Sequence, residues 1–466
     1  MKRSTSFRLK RILQTGLAGL LCVVFLFSCS VSAYAVDYQF LQPCSIGLTV
    51  YDKAFEVRGY HVNYENNLYL SLADLSAALD GTEKQFSFLY GSSAQDGEYN
   101  SIWTGQPQLT GNSGITQTPF ASREEVWLAI SRNRLFVDGA DRKYYTFREG
   151  GHDLYMSLID LQLALDVTME KTGENSFRID PNRAFAPDYL TLETEGYFSY
   201  LNSFVLGDAN TGVLLCALNY GDQVSIASTS KLMTYLLFAE AVKRGEVSMN
   251  ATVTISPNVE AVSRSADGMI LMEAGKQIPV SELLDAMLVA SSNEAAVAVA
   301  ELVAGSEEQF VKRMNQRAKE LGLDSAEFYT SNGLPIYTDS AVPSKLQNRM
   351  SAYDLFRLSA YVLQAFPEIT AITAQTFASM PTLDYTTANS NPLLFNMSGI
   401  TGLKTGSTNR AGYCISASMP VTAGNETHQI VLCLLGAEMG ADRGQEAEIL
   451  LRFARNYYQK NGFPTG

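Results

Sequence analysis

Lys231 lies in a stretch whose neighbours are almost all apolar. Leu232, Tyr235, Leu236, Ala239 and Val242 recur at helical spacing, which predicts a buried helix from Thr229 onward. Ser228 stands at its N-terminal end, where serine is a favoured cap. Lys231 follows three residues later, on the same face one turn along. A charged amine on an apolar helix face is costly unless it is paired or neutral. Any fold containing this helix must therefore wrap a core around it and give the amine something to do. A hydroxyl and an amine on one buried face can be a nucleophile and its base. The bland alternative is a capping serine beside a snorkelling lysine.

The N-terminus carries Lys2, Arg3, Arg8, Lys10 and Arg11, an apolar run to Phe27, and Ala33-Tyr34-Ala35. That pattern predicts a secretory signal over residues 1–35, with a mature chain starting near Val36. Leu26-Phe27-Ser28-Cys29 matches a lipoprotein cleavage box poorly. The formal net charge is −13; losing the signal's 5 positive charges brings it near −18. Such a balance argues against a nucleic-acid partner and a polybasic membrane surface. Cys44, Cys216, Cys414 and Cys433 remain after cleavage. The last three lie in strand-like apolar runs, as buried free thiols do.

Residues 36–180 contain an internal repeat. Leu68 to Asp80 (LYLSLADLSAALD) returns as Leu154 to Asp166 (LYMSLIDLQLALD), within copies around 50–85 and 130–180. Each is a short strand whose Ser71 or Ser157 starts an amphipathic helix, so a small duplicated α+β module is expected. Asp138-Gly139 signals a hairpin, and the Gly/Ser/Gln/Thr-rich stretch 91–119 a long loop. The strand–helix core resembles the N-terminal domain of the copper amine oxidase type. The resemblance implies no copper site, because His61 and His152 lack ligand spacing. Asp180-Pro181-Asn182 through Ala186-Pro187 breaks the pattern, which places a linker at 181–196.

From 197 to 462 the character changes. A hairpin is expected at Phe204–Leu206 and Val213–Cys216, and helices near 281–290, 294–304, 306–321 and 351–365. Strands follow at Tyr413–Ser418 and Gln429–Leu435, then a helix at 443–459. Two motifs here join the opening pair. Ser291-Ser292-Asn293 sets a hydroxyl and an amide on a tight helix–helix turn, and Lys404-Thr405-Gly406 sets a cation before a strand. The chain supplies its own control: Lys171-Thr172-Gly173 lies in the repeat module with no Ser-x-x-Lys before it, and is read as a turn.

In this order Ser228/Lys231, Ser291/Asn293 and Lys404/Thr405/Gly406 resemble the motifs of the penicillin-recognising serine peptidases, above all the low-molecular-weight D-alanyl-D-alanine carboxypeptidases. The resemblance runs from about 197 to 460 and implies the α/β penicillin-binding fold. That fold is a mainly antiparallel sheet flanked by helices with a helical subdomain. It also implies an extracytoplasmic hydrolase acting on peptidoglycan stem peptides ending in D-Ala-D-Ala, acylated by β-lactams and needing no metal or cofactor. Carried over residue by residue, Ser228 is the nucleophile, Lys231 its base and Ser291 a proton relay. Asn293, Lys404, Thr405, Gly406 and Ser407 bind substrate. For the base, the usual lysine pKa of about 10.4 has to fall by roughly 3, within what burial achieves, with Lys404 pushing the same way.

Two departures stand out. Ala266-Asp267-Gly268-Met269 replaces the family's Gly-Gly-Ser run, which puts substrate preference in question. After the catalytic region no residues are left for the family's C-terminal β-domain and amphipathic anchor, so the repeat module is expected to take over spacing. The rivals are a β-lactamase on the same fold, which needs a second acid, and a non-catalytic wall binder, which would have lost a motif residue.

Overall fold

The computed structural model describes residues 38–62, 67–93, 97–107, 126–129, 131–138, 140–149, 153–188, 192, 201–265, 269–336, 346–437 and 440–464. The expected signal at 1–35 and the substituted positions Ala266 to Gly268 lie outside them.

The repeat folds as two interlocked copies. The first runs β1 (Tyr38–Val50), β2 (Lys53–Val62), β3 (Asn67–Ser71), α1 (Leu72–Leu79), β4 (Phe86–Ser93) and β5 (Gly97–Thr104). After β6 (Val126–Ala129) the second runs β7 (Ser131–Val137), β8 (Ala140–Glu149), β9 (Asp153–Ser157), α2 (Leu158–Leu165), β10 (Met169–Gly173) and β11 (Ser176–Ile179). All pair in one sheet, ordered β10-β11-β1-β2-β3-β9-β8-β7-β5-β4, with β6 on β1. The copies meet antiparallel at β3–β9 and exchange their last hairpins: β5 pairs parallel with β7, and β11 parallel with β1. Ser71 and Ser157 cap the two helices by accepting from Asp74 N and Asp160 N, so each motif serine turns a strand into a helix. The long loop expected at 91–119 is corrected: its first part is strand, because β4 and β5 pair continuously from Phe86↔Thr104 to Ser93↔Gly97.

Residues 201–464 build a second, five-stranded antiparallel sheet. It comprises β12 (Ser203–Asp208), β13 (Leu214–Leu218), β14 (Gly402–Thr408), β15 (Gly412–Ala423) and β16 (Glu426–Ala437), ordered β13-β12-β16-β15-β14. Alternate residues enter different cores, so both faces are covered. Val205, Val431, Cys433 and Leu435 pack against a helical lobe of α3 (Lys231–Lys243), α4 (Val280–Leu288), α5 (Asn293–Ala304), α6 (Glu307–Glu320) and α7 (Ala352–Ala365). Phe204, Leu206, Ile430, Leu432 and Leu434 face α8 (Gly440–Asn461) and the repeat module.

That second core runs from the sheet through Leu450 and Phe453 of α8 into Leu75 of α1 and Leu161 of α2. The stretch expected as a linker takes part: Asn456 Nδ2 donates to the carbonyls of Ala186 and Pro187, 3.2 Å each. Arg452 Nη1 reaches Asp166 Oδ1 at 2.9 Å.

Candidate active site

Ser228 does not cap α3. It lies in a single 3-10 turn, Ala227–Ser230, that feeds the helix, and Ser230 occupies the cap position without a side-chain bond to the helix N–H groups. The turn is bent sharply, with Ala227 at φ +47°. Thr229 Oγ1 donates to Ile226 O (2.6 Å) and Ser230 Oγ to Ala227 O (2.7 Å), closing it from inside. Two backbones press on it from outside. A Cβ on Gly333, at φ +91°, would stand 2.1 Å from Ala227 O, and one on Gly406 would stand 2.8 Å from Ser228 N. Both positions need glycine because the chain passes so close.

Lys231, in the first turn of α3, is fully buried. Its Nζ donates to Ser228 Oγ (2.7 Å), Asn293 Oδ1 (2.8 Å) and the Asn332 carbonyl (2.7 Å). Burial lowers its pKa from 10.5 to about 7, against the pull of the Glu294 carboxylate. Three acceptors suit the ammonium. At neutral pH about half the population has lost that proton, and the Ser228 hydroxyl can then turn its own proton onto the amine. Lys231 and Lys404 repel each other as cations, while the Glu294 carboxylate pulls Lys231 the other way.

Asn293 opens α5, whose cap is Ser292, accepting from Ala295 N at 3.0 Å. Ser291 precedes it in the left-handed region, φ +64°. The structure gives its hydroxyl no bond to Ser228 or Lys231, so of the Ser291/Asn293 pair only Asn293 touches the amine directly.

Lys404, Thr405, Gly406 and Ser407 lie on β14, the outer strand of the sheet, which runs alongside the Ser228 turn. Lys404 is 1% exposed, and its Nζ has one protein acceptor, Thr405 O at 3.0 Å. Burial, then the nearby Lys231 and Arg443, hold its pKa well below the usual value. Thr405 Oγ1 shares a 2.7 Å hydrogen bond with Ser390 Oγ, and Ser407 is exposed at the strand's end.

Sequence reasoning missed four residues. Asn332 contributes its carbonyl from the segment after α6, pinned where Ser331 N and Oγ donate to Glu307 Oε1 (2.9 and 2.6 Å). Arg443, at the start of α8, is buried behind β14 and donates weakly to the carbonyls of Gly406 and Cys414, both 3.4 Å. Ser390 and Glu294 are the others. Backbone carbonyls and cations from distant elements leave no local pattern. The Ser331-Asn332-Gly333 turn and a lone arginine opening an otherwise amphipathic helix were the signals available. The one histidine of this region, His428, pairs with Asp208 at 2.6 Å in β16 and is absent from these contacts.

The sequence profile of the D-alanyl-D-alanine carboxypeptidase family matches residues 200–438. D-alanyl-D-alanine carboxypeptidase DacF of Bacillus subtilis is 31% identical over 259 residues, which are 55% of this chain and 62% of that protein. DacD of Escherichia coli is 29% identical over 286 residues, 60% of this chain and 70% of its own. The crystal structure of a peptidoglycan synthesis regulatory factor, PBP3, from Streptococcus pneumoniae superposes with a TM-score of 0.50 at 29% identity, covering 54% of this chain and 72% of that one. The chain thus spans 62% of the length of the first of these relatives. The repeat module falls outside the family match.

Proposed function

The chain belongs to the D-alanyl-D-alanine carboxypeptidase family, and on that premise we propose that it removes the terminal D-alanine from peptidoglycan stem peptides through an acyl-enzyme on Ser228. The observation that carries this reading is the buried Lys231 amine, held between Ser228 Oγ at 2.7 Å and Asn293 Oδ1 at 2.8 Å with a pKa of about 7. A base with a pKa near the working pH gives the best compromise between being deprotonated and being basic.

The steps follow from the groups present. Neutral Lys231 takes the Ser228 proton as Oγ attacks the carbonyl carbon between the two D-alanines. The oxyanion is met by the backbone N–H groups of Ser228, at a helical N-terminus, and Ser407. Each such donor is worth about 3–4 kcal/mol where comparable ones have been removed. Collapse breaks the C–N bond, and the leaving amine takes the proton from Lys231, directly or through the Ser291 hydroxyl once that side chain has turned onto the amine. Water then attacks the ester with Lys231 again as base. Lys404, a buried amine with a single protein acceptor, suits the substrate's terminal carboxylate, with Arg443 behind it and Thr405 and Ser407 beside it. Gly406 lets β14 lie against the nucleophile turn.

The enzyme would work outside the cytoplasm, where its substrate is, and β-lactams would acylate Ser228. Among the described residues no helix is long and apolar enough to cross a membrane. The test is intact mass and peptide mapping after incubation with a penicillin. One adduct on Ser228, absent in Ser228→Ala, is expected, with release of D-alanine from a pentapeptide. An adduct elsewhere removes the assignment, and rapid turnover of the penicillin without D-alanine release points to the lactamase rival.

A further inference from the structure

Asn389, Ser390 and Asn391 form a clamped segment shortly before β14. The two asparagines are buried and spend their side chains on backbone. Asn389 Nδ2 donates to the carbonyls of Thr373 and Gln375 at 3.2 and 2.8 Å, and Asn391 Nδ2 to Gly402 O at 3.4 Å. Their amide oxygens accept from Asn391 N at 2.9 Å and Leu393 N at 3.1 Å. Held between them, Ser390 touches three elements that carry site residues. Its N–H donates to Val289 O at 3.2 Å, two residues before Ser291. Its carbonyl accepts weakly from Arg443 Nη2 at 3.5 Å, and its hydroxyl shares a 2.7 Å hydrogen bond with Thr405 Oγ1. A serine that only turned the chain would spend its hydroxyl on nearby backbone, as its neighbours spend their amides. This hydroxyl reaches β14 instead.

We propose that Ser390 is a positioning residue for substrate recognition: its hydroxyl donates to Thr405 Oγ1 and so aims the Thr405 proton at the substrate's terminal carboxylate. The direction follows from counting protons. A hydroxyl has one proton to give and two lone pairs with which to accept. A carboxylate ion only accepts, so Thr405 serves it only by giving up its single proton. The 2.7 Å bond between the two hydroxyls then carries the Ser390 proton. Among the described residues Ser390 Oγ has no other hydrogen-bond partner to compete for it. Removing that oxygen leaves the Thr405 hydroxyl free to rotate, and the substrate must then order it on binding.

This rests on the reading of Lys404 and Thr405 as the carboxylate site, so the test separates the two. Stopped-flow acylation of the full chain is measured with benzylpenicillin, whose free carboxylate stands in for that of the peptide, and with its methyl ester. The wild type is expected to favour the acid, which is the carboxylate reading itself. Ser390→Ala keeps the backbone contacts to Val289 and Arg443 and should shrink that preference about tenfold, the worth of one hydrogen bond. Ser390→Thr restores a hydroxyl and should regain most of it. In a Thr405→Val chain, Ser390→Ala should change the preference no further, because its effect passes through the Thr405 hydroxyl. Equal slowing of acid and ester by Ser390→Ala overturns the proposal, as does a further loss of preference in the Thr405→Val chain. A wild type with no preference for the acid overturns the carboxylate reading, and the role of Ser390 falls with it.

Discussion

The chain writes Lys-Thr-Gly twice and uses it in opposite ways. Lys171-Thr172-Gly173 ends β10, the outermost strand of the repeat module, and all three residues are exposed. The tripeptide read as a turn is thus the end of a strand, with the turn itself at Glu174-Asn175. Lys404-Thr405-Gly406 also lies on an outer strand of its sheet, yet all three residues are buried. The difference is what lies against the edge. Beside β10 the described chain leaves water. Beside β14 lie the Ser228 turn and α8, which remove the solvent from Lys404 and place Lys231 and Arg443 near it. Identical side chains acquire chemistry only where a second element desolvates them.

The largest contrast concerns the glycines. A Cβ on Gly406 would meet Ser228 N, Thr229 N and Ile226 O at 2.8–3.0 Å, all backbone atoms that cannot step aside. Gly406→Ala should therefore push β14 off the nucleophile turn. Acylation by penicillin is expected to fall about 100-fold or more, because misplacing a catalytic group by an ångström costs that much. The same change at Gly173 meets only Ser176, at 3.4 Å, so stability should stay within about 0.5 kcal/mol and acylation should be unchanged. Stopped-flow acylation and thermal melts of both variants decide it. Equal effects at the two sites would erase the comparison.

The lysines come next. Lys404→Met replaces a buried amine with an apolar chain of similar length, so kcat/KM for a peptide carrying a free terminal carboxylate should fall about 10–100-fold, the worth of a charge-assisted hydrogen bond. The fold should lose nothing and can gain 1–4 kcal/mol, since burying a charge is costlier than burying a thioether. Lys171→Met, in water on both accounts, should change neither. A drop in melting temperature at 404 would mean that the cation is there to hold the fold together.

Protonation of Lys231 has a defined sign. The unfolded lysine titrates near 10.5 and the folded one near 7, so between those values the unfolded chain binds the extra proton. Stability carried by this group therefore rises with pH from 7 to 10.5 and is lost on acidification to 7, a span on the order of 5 kcal/mol. Acylation should drop about tenfold per pH unit below 7, where the base is protonated. A flat acylation profile from pH 5 to 8 would remove Lys231 from the role of base.

How far the sequence reached depends on which interactions are local. Periodicity and caps are local, and so the helices around 281–290, 294–304 and 351–365 and the repeat's Ser71 and Ser157 were legible. The three motif segments were legible as well, because their order is written along the chain. The hairpin exchange between the two copies was hidden, since nothing in Gly97–Thr104 says that its partner is Ser131–Val137 rather than its own copy. The place of Ser228 in a 3-10 turn was hidden too, because it is set by Gly333 and Gly406 arriving from about 100 and 180 residues away. Arg443 and the Asn332 carbonyl were missed for the same reason.

The smallest expected effect lies where the two regions meet. Asp166 ends α2 in the left-handed conformation at φ +48°, accepts from Phe185 N at 3.2 Å and pairs with Arg452 of α8 at 2.9 Å. Its side chain is 46% exposed, so the ion pair is heavily screened by water. Asp166→Asn keeps an acceptor for Phe185 and tolerates the left-handed backbone, losing only the charge. The expected cost is about 0.5 kcal/mol, with a single unfolding transition and unchanged acylation. The apolar seam through Leu450 and Phe453 of α8 and Leu161 of α2 has no water to weaken it, and it should keep the module and the catalytic region melting together. If Asp166→Asn instead split calorimetric unfolding into two peaks, the joint would rest on this exposed pair. Burial would then have stopped deciding which charges matter, against the lesson of the two lysines.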